Sequence, residues 1–232
     1  ILALIDTPWE SSAAAALASM HKRGPDDQDI ARLSGAVLAH ARLAVIDLTG
    51  GKQPMQTRDG RYTIIFNGEI YNFQLLRDQL TTRGHAFSTQ SDTEVILRGY
   101  VEWREGVVER LDGMFAFAIW DDISRTMFAA RDRVGIKPLF YSPHQGFVLA
   151  STLAPFFRLD GFPRRLDYEA LRDFLAFQAV LAPASFMKHV RQLPPASWLT
   201  YHAPSRQLVI KRYWMIPPAS DAHPPGPDDL AQ

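Results

Sequence analysis

Residues 66–72 place two hydrogen-bond donors side by side at the end of an apolar run. The segment reads FNGEIYN, and we expect the strand RYTIIF to end at Asn67-Gly68. There the Asn67 side-chain amide stands beside a free backbone N–H, because glycine tolerates positive φ. Two such donors suit a developing oxyanion, and removing one typically costs about a hundredfold or more in rate. The alternative is an ordinary hairpin turn, for which Asn-Gly is the commonest signal.

Three charged residues near this segment suit the two ends of an amino acid. Arg42 lies in the apolar stretch LAHARLAVIDL, where a guanidinium is costly to bury without an anionic partner. Glu69 and Asp92 offer carboxylates beside turns, and together they suit an ammonium group. With the two donors, they predict a pocket for a free α-amino acid with a reactive side-chain carbonyl. Two alternatives stay open: Arg42 paired with Asp47, and Asp92 favoured by a helix dipole.

The composition limits the function classes. The 25 basic and 25 acidic residues cancel, so no net field attracts nucleic acid or an anionic membrane surface. No apolar run approaches the roughly 20 residues that a spanning helix needs, and we expect a cytoplasmic protein. The chain has no cysteine, which excludes disulfides and thiolate metal sites, and its seven histidines lack metal-ligand spacing. We therefore expect no metal in this domain.

The elements that must position these residues are short strands with helices between them. Strands are predicted over ILALI, AVLAH, RLAVIDL, RYTIIF, FAFAIW, TMFAAR, LFYS and FVLAS. Helices are predicted over SSAAAALASM, Phe73–Thr82, Asp92–Trp103 and residues 167–177, with a capping box formed by Ser91 and Glu94. This order indicates an α+β fold with largely antiparallel sheets covered by helices. From Met215 the proline-rich stretch PPASDAHPPGPDD predicts a linker.

Six blocks in order resemble the class II glutamine amidotransferases, most of all the glutaminase domains of asparagine synthetases. They are HKRGPDD, LAHARLAVIDLTGGKQPM, FNGEIYNFQLLRDQL, TQSDTEVILRGY, LDGMFAFAIWD and ARDRVGIKPLFY. The resemblance covers residues 1–214 and leaves 215–232 as the linker. It implies an N-terminal-nucleophile hydrolase, a four-layer α/β/β/α sandwich with two mostly antiparallel sheets that cleaves glutamine to glutamate and ammonia.

The resemblance also implies roles for the residues already singled out. Arg42 binds the substrate α-carboxylate, Asn67 and Gly68 form the oxyanion hole, and Glu69 and Asp92 bind the α-amino group. The backbone carbonyl of Val45 faces the ligand. For His21, Arg23, Asp26, Arg131 and Asp132 we expect structural hydrogen bonds and no part in the chemistry.

The family's nucleophile is a cysteine exposed by removal of the initiator methionine, and its own α-amino group is the base. The family opens with Met-Cys-Gly-Ile or similar, whereas this chain begins Ile1-Leu2-Ala3-Leu4. We expect that two or three residues precede Ile1 in the natural protein, which is then an active glutaminase. The 232 residues themselves lack the nucleophile and are expected to be inactive. The alternative is a non-catalytic amino-acid-binding or scaffold domain that has lost the cysteine.

No Ser-Gly-Gly-Leu-Asp-Ser-type ATP-binding loop occurs in the chain. We therefore expect the amidation of aspartate, with its ATP and Mg²⁺, to take place in a synthetase domain that follows the linker. That domain and glutamine are the expected partners, and a homodimer is compatible with the sequence. The third hypothesis is an amidotransferase that acts on a different acceptor, and it predicts a different downstream domain.

Overall fold

The computed structural model describes residues 1–43 and 51–217. Short apolar segments bounded by glycine, proline or polar residues form its strands, and segments with apolar residues three and four apart form its helices. The strands are β1 Leu2–Ile5, β2 Asp27–Leu33, β3 Ala36–Arg42, β4 Met55–Gln56, β5 Tyr62–Ile70, β6 Gly113–Asp121, β7 Thr126–Arg131, β8 Phe140–Ser142, β9 Phe147–Ala150, β10 Arg191–Gln192, β11 Ser197–His202 and β12 Gln207–Arg212. The α-helices are α1 Ala13–Ala18, α2 Phe73–Thr82, α3 Asp92–Trp103, α4 Val107–Arg110 and α5 Tyr168–Phe177.

The strands of the described ranges form two six-stranded sheets. The order in the first sheet is β10-β8-β9-β1-β3-β2, and in the second it is β12-β11-β7-β6-β5-β4. All pairings between the described strands are antiparallel. Strand β1 lies inside the first sheet, where Leu2 is paired with Ala39 on one side and with Ala150 on the other.

Within the described residues, three apolar cores separate four layers. The core between the sheets contains alternate residues of both, such as Ala3 and Leu38 of the first sheet and Ile65 and Trp120 of the second. The other face of the second sheet packs against α2, α3 and α4. The other face of the first sheet packs against α1 and the short 3₁₀ helix Ala154–Arg158. Because strand side chains alternate between faces, each central strand contributes to two cores. The predicted α/β/β/α sandwich is confirmed.

Most predicted elements are confirmed, and one strand end is wrong. Helices α2 and α3 have the predicted bounds, and the Ser91 hydroxyl caps α3 by accepting a hydrogen bond from the Glu94 N–H at 3.3 Å. The strand RYTIIF was expected to end at Asn67-Gly68, but β5 continues to Ile70. The pairing with β6 holds these residues in extended backbone, since Asn67 lies opposite Ala116. The hairpin alternative is therefore wrong as well.

Some sequence predictions concern residues outside the described ranges. The segment RLAVIDL is described only as far as residue 43, and the linker only as far as residue 217. The domain boundary at 214 stays a prediction. None of the helices within residues 1–43 and 51–217 is long and apolar enough to cross a bilayer.

Candidate active site

A cavity of about 250 Å³ lies where the ends of β3 and β5 meet the start of α3. Five of the six residues predicted to bind glutamine line it: Arg42, Asn67, Gly68, Glu69 and Asp92. The sixth, Val45, lies outside the described residues. The structure thus brings together side chains from both sheets and one helix that are up to fifty positions apart in the sequence.

The outer edge of β5 faces this cavity. Strand β4 covers that edge only at Ile64 and Thr63. Farther along, side chains replace a strand: the Phe66 N–H donates to Gln53 Oε1 at 2.6 Å, and the Ile70 N–H donates to Asp92 Oδ2 at 3.1 Å. N–H groups of alternate residues in a strand point to the same side. The Gly68 N–H therefore lies between these two bonded groups and points to the cavity.

Gly68 is required for a reason that the sequence motif did not indicate. A Cβ atom at this position would lie 2.1 Å from the Met114 carbonyl oxygen and 2.7 Å from the Phe115 Cα atom. On the facing strand, a Cβ at Gly113 would lie 2.2 Å from the Glu69 carbonyl oxygen. Two glycines thus allow β5 and β6 to approach closely beside the cavity.

Asn67 lies on the face of β5 that it shares with Ile65, which packs between the sheets. Its side chain is therefore directed toward the first sheet. No described residue accepts a hydrogen bond from its amide. Together, the Asn67 amide and the Gly68 N–H are two adjacent donors at one wall of the cavity, as an oxyanion hole requires.

Arg42 is the last residue of β3 and is 7% exposed. Its carbonyl oxygen accepts a hydrogen bond from the Asp26 N–H at 3.0 Å. The end of β3 is thus held by the backbone of the segment HKRGPDD, and the role expected for the Asp26 side chain stays a prediction. Asp47, the alternative partner of Arg42, lies outside the described residues, so that pairing stays untested.

The two carboxylates stand on different elements. Asp92 is the first residue of α3 and is 5% exposed, and Glu69 is half-buried in β5 opposite Met114. Burial raises the pKa of the Asp92 carboxyl, and the charge of Glu69 raises it further, while the hydrogen bond from Ile70 lowers it. The Asp92 carboxylate would therefore gain from a cation placed between the two acids.

The comparison with known proteins decides the family. The family described as Glutamine amidotransferase domain matches residues 1–214. The chain belongs to this family. It is 39% identical over 215 residues to "Asparagine synthetase [glutamine-hydrolyzing] 3" of Bacillus subtilis, a match that covers 91% of this chain and 34% of that protein. It is 37% identical over 226 residues to a putative asparagine synthetase [glutamine-hydrolyzing] of Mycobacterium tuberculosis, covering 90% of this chain and 35% of that protein.

The amidotransferase domain thus spans about a third of the length of the curated relatives it matches. Among solved structures, the glutamine phosphoribosylpyrophosphate amidotransferase of B. subtilis, complexed with ADP and GMP, superposes with a TM-score of 0.69. The identity is 18%, and the match covers 93% of this chain and 49% of that chain. At this identity the likeness concerns the fold, which agrees with the sandwich described above.

Two residues that line the cavity were missed by the sequence analysis. His40 lies on β3 two positions before Arg42, so both side chains leave the same face of the strand. Its Nε2 is 2.9 Å from the Phe66 carbonyl oxygen. Gln53 follows the undescribed segment and also lines the cavity. The signals were a lone histidine in the apolar strand AVLAHAR and a glutamine before proline in GGKQPM.

His40 is uncharged at neutral pH. Burial lowers the pKa of His40 from 6.5 to about 3. Because a carbonyl oxygen only accepts, Nε2 carries the proton that is donated to Phe66. The Nδ1 atom is buried and has no hydrogen-bond partner among the described residues.

Arg131 and Asp132 have structural roles in the amidotransferase domain, as expected from the sequence. The Arg131 guanidinium donates to the carbonyl oxygens of Lys137, Leu193 and Gly135 at 2.7 to 2.8 Å. The Asp132 carboxylate accepts backbone N–H groups of the same loop, including that of Lys137 at 2.9 Å. The loop so held places Lys137 at the wall of the cavity.

No group of three or more histidine, aspartate or glutamate side chains is arranged to hold a metal ion within the ranges 1–43 and 51–217.

Proposed function

We propose that this chain is the glutamine-hydrolysing part of an asparagine synthetase-like amidotransferase. The observation that carries the proposal is the convergence of the Arg42 guanidinium, two carboxylates and two adjacent hydrogen-bond donors on a single cavity. The names of the curated relatives, which include the words glutamine-hydrolyzing, support hydrolysis over a scaffold role.

In this proposal each group of glutamine has a partner. Arg42 binds the α-carboxylate, with a guanidinium that suits two parallel hydrogen bonds. Glu69 and Asp92 bind the α-ammonium, and the backbone carbonyl of Val45 faces the ligand. The side-chain carbonyl oxygen lies at the Asn67 amide and the Gly68 N–H, where negative charge develops during attack.

The nucleophile in this proposal is a cysteine placed two positions ahead of Ile1. In the pairing of β1 with β3, Leu2 lies opposite Ala39. A β1 extended in the same register brings a residue two positions ahead of Ile1 opposite Arg42, at the cavity. Its α-amino group takes the thiol proton, the thiolate attacks the amide carbon, and ammonia leaves with a proton. Water then cleaves the thioester to glutamate. The 232 residues without that cysteine are not expected to release ammonia.

The fate of the ammonia is also part of the proposal. The curated relatives are about three times as long as the stretch they share with this chain. We infer that a synthetase domain, which would use ATP and Mg²⁺ to activate aspartate, receives the ammonia. The proposal gives neither ATP nor Mg²⁺ a role in the cavity described above.

The test compares three chains: residues 1–232 alone, the same residues preceded by Met-Cys-Gly, and the same preceded by Met-Ala-Gly. We expect glutamate release from the cysteine-bearing chain only. Arg42→Ala should abolish glutamine binding in calorimetry while the melting temperature changes little. Arg32→Ala, at an exposed position on β2, is the matched control.

Two results would contradict the proposal. Unchanged glutamine affinity in Arg42→Ala rejects the assignment of the carboxylate site. Glutamine binding without turnover in the cysteine-bearing chain supports instead the non-catalytic amino-acid-binding domain.

A further inference from the structure

The peptide groups just before the oxyanion donors are held by side chains from outside the sheet edge. Both backbone groups of Phe66 are bonded in this way: its N–H donates to Gln53 Oε1 at 2.6 Å, and its carbonyl accepts from His40 Nε2 at 2.9 Å. In the middle of a sheet a neighbouring strand would make these bonds. Here β4 ends its pairing at Ile64, so the two side chains take its place.

Gln53 connects this edge to the helix that supplies Asp92. Its Nε2 donates to Thr93 Oγ1 at 3.3 Å, in the first turn of α3. The neighbouring Asp92 binds the Ile70 N–H. The edge of β5 is thus fixed to α3 on both sides of Gly68, which sits between two anchored positions.

His40 connects the two sheets. It belongs to β3 in the first sheet, while Phe66 belongs to β5 in the second. Arg42 leaves the same face of β3 two residues farther on. The bond from His40 to Phe66 therefore sets how far the guanidinium on one sheet lies from Asn67 and Gly68 on the other. In a bound glutamine that separation is the span from the α-carboxylate to the side-chain carbonyl.

The environment of His40 suits a fixed donor. The ring is 6% exposed, and its uncharged state at neutral pH keeps one proton on Nε2. A buried hydrogen bond between two elements is costly to lose, since the carbonyl would remain without a partner. Rotation of the ring away from Phe66 is thus disfavoured.

We propose that His40 and Gln53 are positioning residues of glutamine hydrolysis, which hold the Asn67–Gly68 segment at the correct distance from Arg42. This rests on the function proposed above. In this proposal, neither side chain transfers a proton or contacts the substrate. The expected effect of removing either one is a misplaced oxyanion hole with the amino-acid contacts retained.

The test uses the chain preceded by Met-Cys-Gly and two matched pairs of variants. His40→Phe removes the donor and keeps a ring of similar size, whereas His40→Gln retains an N–H at nearly the same place. Gln53→Leu removes the acceptor for the Phe66 N–H, whereas Gln53→Glu keeps it. The second pair keeps the test valid should His40→Phe fail to fold.

We expect kcat to fall about a hundredfold in His40→Phe and Gln53→Leu, the effect of losing one oxyanion donor. The KM for glutamine should stay within about threefold, because Arg42, Glu69 and Asp92 still bind the amino-acid group. His40→Gln and Gln53→Glu should recover at least a tenth of the parent kcat. An unchanged kcat, a loss that lies wholly in KM, or equal defects in both members of a pair would overturn the proposal.

A second measurement separates this proposal from the proposed function. The ¹⁵N-labelled Gly68 amide is followed by NMR in residues 1–232 without the cysteine, where its resonance and hydrogen exchange should change in His40→Phe and much less in His40→Gln. An inactive cysteine-bearing parent together with a shifted Gly68 amide contradicts hydrolysis while retaining the anchoring of the segment. An active parent with an unmoved Gly68 amide contradicts the positioning role alone.

Discussion

Acid should destabilise this domain earlier than its carboxylates alone require, because His40 must be protonated when the chain unfolds. In the folded state, burial lowers the pKa of His40 from 6.5 to about 3. The unfolded chain then binds one more proton than the folded chain between these two values. The free energy of unfolding therefore decreases as the pH falls from 6.5 toward 3, and this contribution is complete at neutral pH.

The size of this loss of stability follows from the shift in the pKa of His40. One pKa unit corresponds to about 1.4 kcal/mol, so stability should fall by about 1.4 kcal/mol per pH unit once the pH is well below 6.5. Between pH 7 and pH 4.5 the loss from His40 is about 3 kcal/mol. That is a large part of the ~5–15 kcal/mol typical of a folded domain.

Urea unfolding followed by tryptophan fluorescence, at half-unit steps from pH 4.5 to 7, measures this slope. His40→Gln is the reference, because it keeps an N–H donor for Phe66 and cannot titrate. His189, whose pKa is also lowered, acts in the same direction, and Asp92, whose pKa is raised, acts in the opposite one. These groups are common to both chains and cancel in the difference.

We expect the free energy of unfolding of the parent to fall by about 3 kcal/mol relative to that of His40→Gln between pH 7 and pH 4.5. Parallel curves would refute the reasoning, since they would show that His40 has the same pKa in the folded and unfolded states.

Two other predictions concern the cavity. Gly68→Ala should destabilise the domain by about 2–3 kcal/mol and reduce glutamine hydrolysis, since its Cβ would lie 2.1 Å from the Met114 carbonyl oxygen. The control in the same thermal melts is Gly106→Ala, because a Cβ at Gly106 has no other atom within 4 Å. Asp92→Asn should keep an acceptor for the Ile70 N–H and leave the melting temperature equal or higher, because burial already disfavours the Asp92 charge. Calorimetry should nevertheless show glutamine binding weakened about tenfold or more, and unchanged binding would remove Asp92 from the ammonium site.

Much of the fold could be predicted from the sequence, because the local apolar patterns favour the same helices and strands that the tertiary packing requires. Helix α2 has apolar residues at spacings of three and four, and its buried residues, Leu76 and Leu80, lie four apart. Helix α3 has the same apolar spacing, although nearly all of its residues from Asp92 to Tyr100 are buried. The central strands read as apolar runs because both of their faces are covered. Two of the strands that were not predicted, β2 and β12, have a weaker pattern, because they contain charged, partly exposed residues at the edges of the two sheets.

Only part of the candidate site could be predicted from the sequence. Charged residues in apolar segments, such as Arg42, stand out because their burial needs a partner. His40 and Gln53 do not stand out, since their contacts are with the backbone of Phe66, far away in the sequence. The Asn67-Gly68 pair was read as the end of a strand, because the dipeptide is typical of turns. Its position inside β5 depends on the close approach of Gly113 on the next strand, which no local pattern indicates.

The interior position of β1 has a consequence for biosynthesis. Leu2 must pair with both Ala39 and Ala150, so the earliest strand completes its sheet only after the chain has grown past residue 150. At about 5–20 residues per second, a ribosome needs on the order of ten seconds for that growth. During this interval the apolar β1 has one free edge that other chains can pair with. We therefore expect the nascent domain to depend on chaperones and to fold more slowly than helical domains of its size.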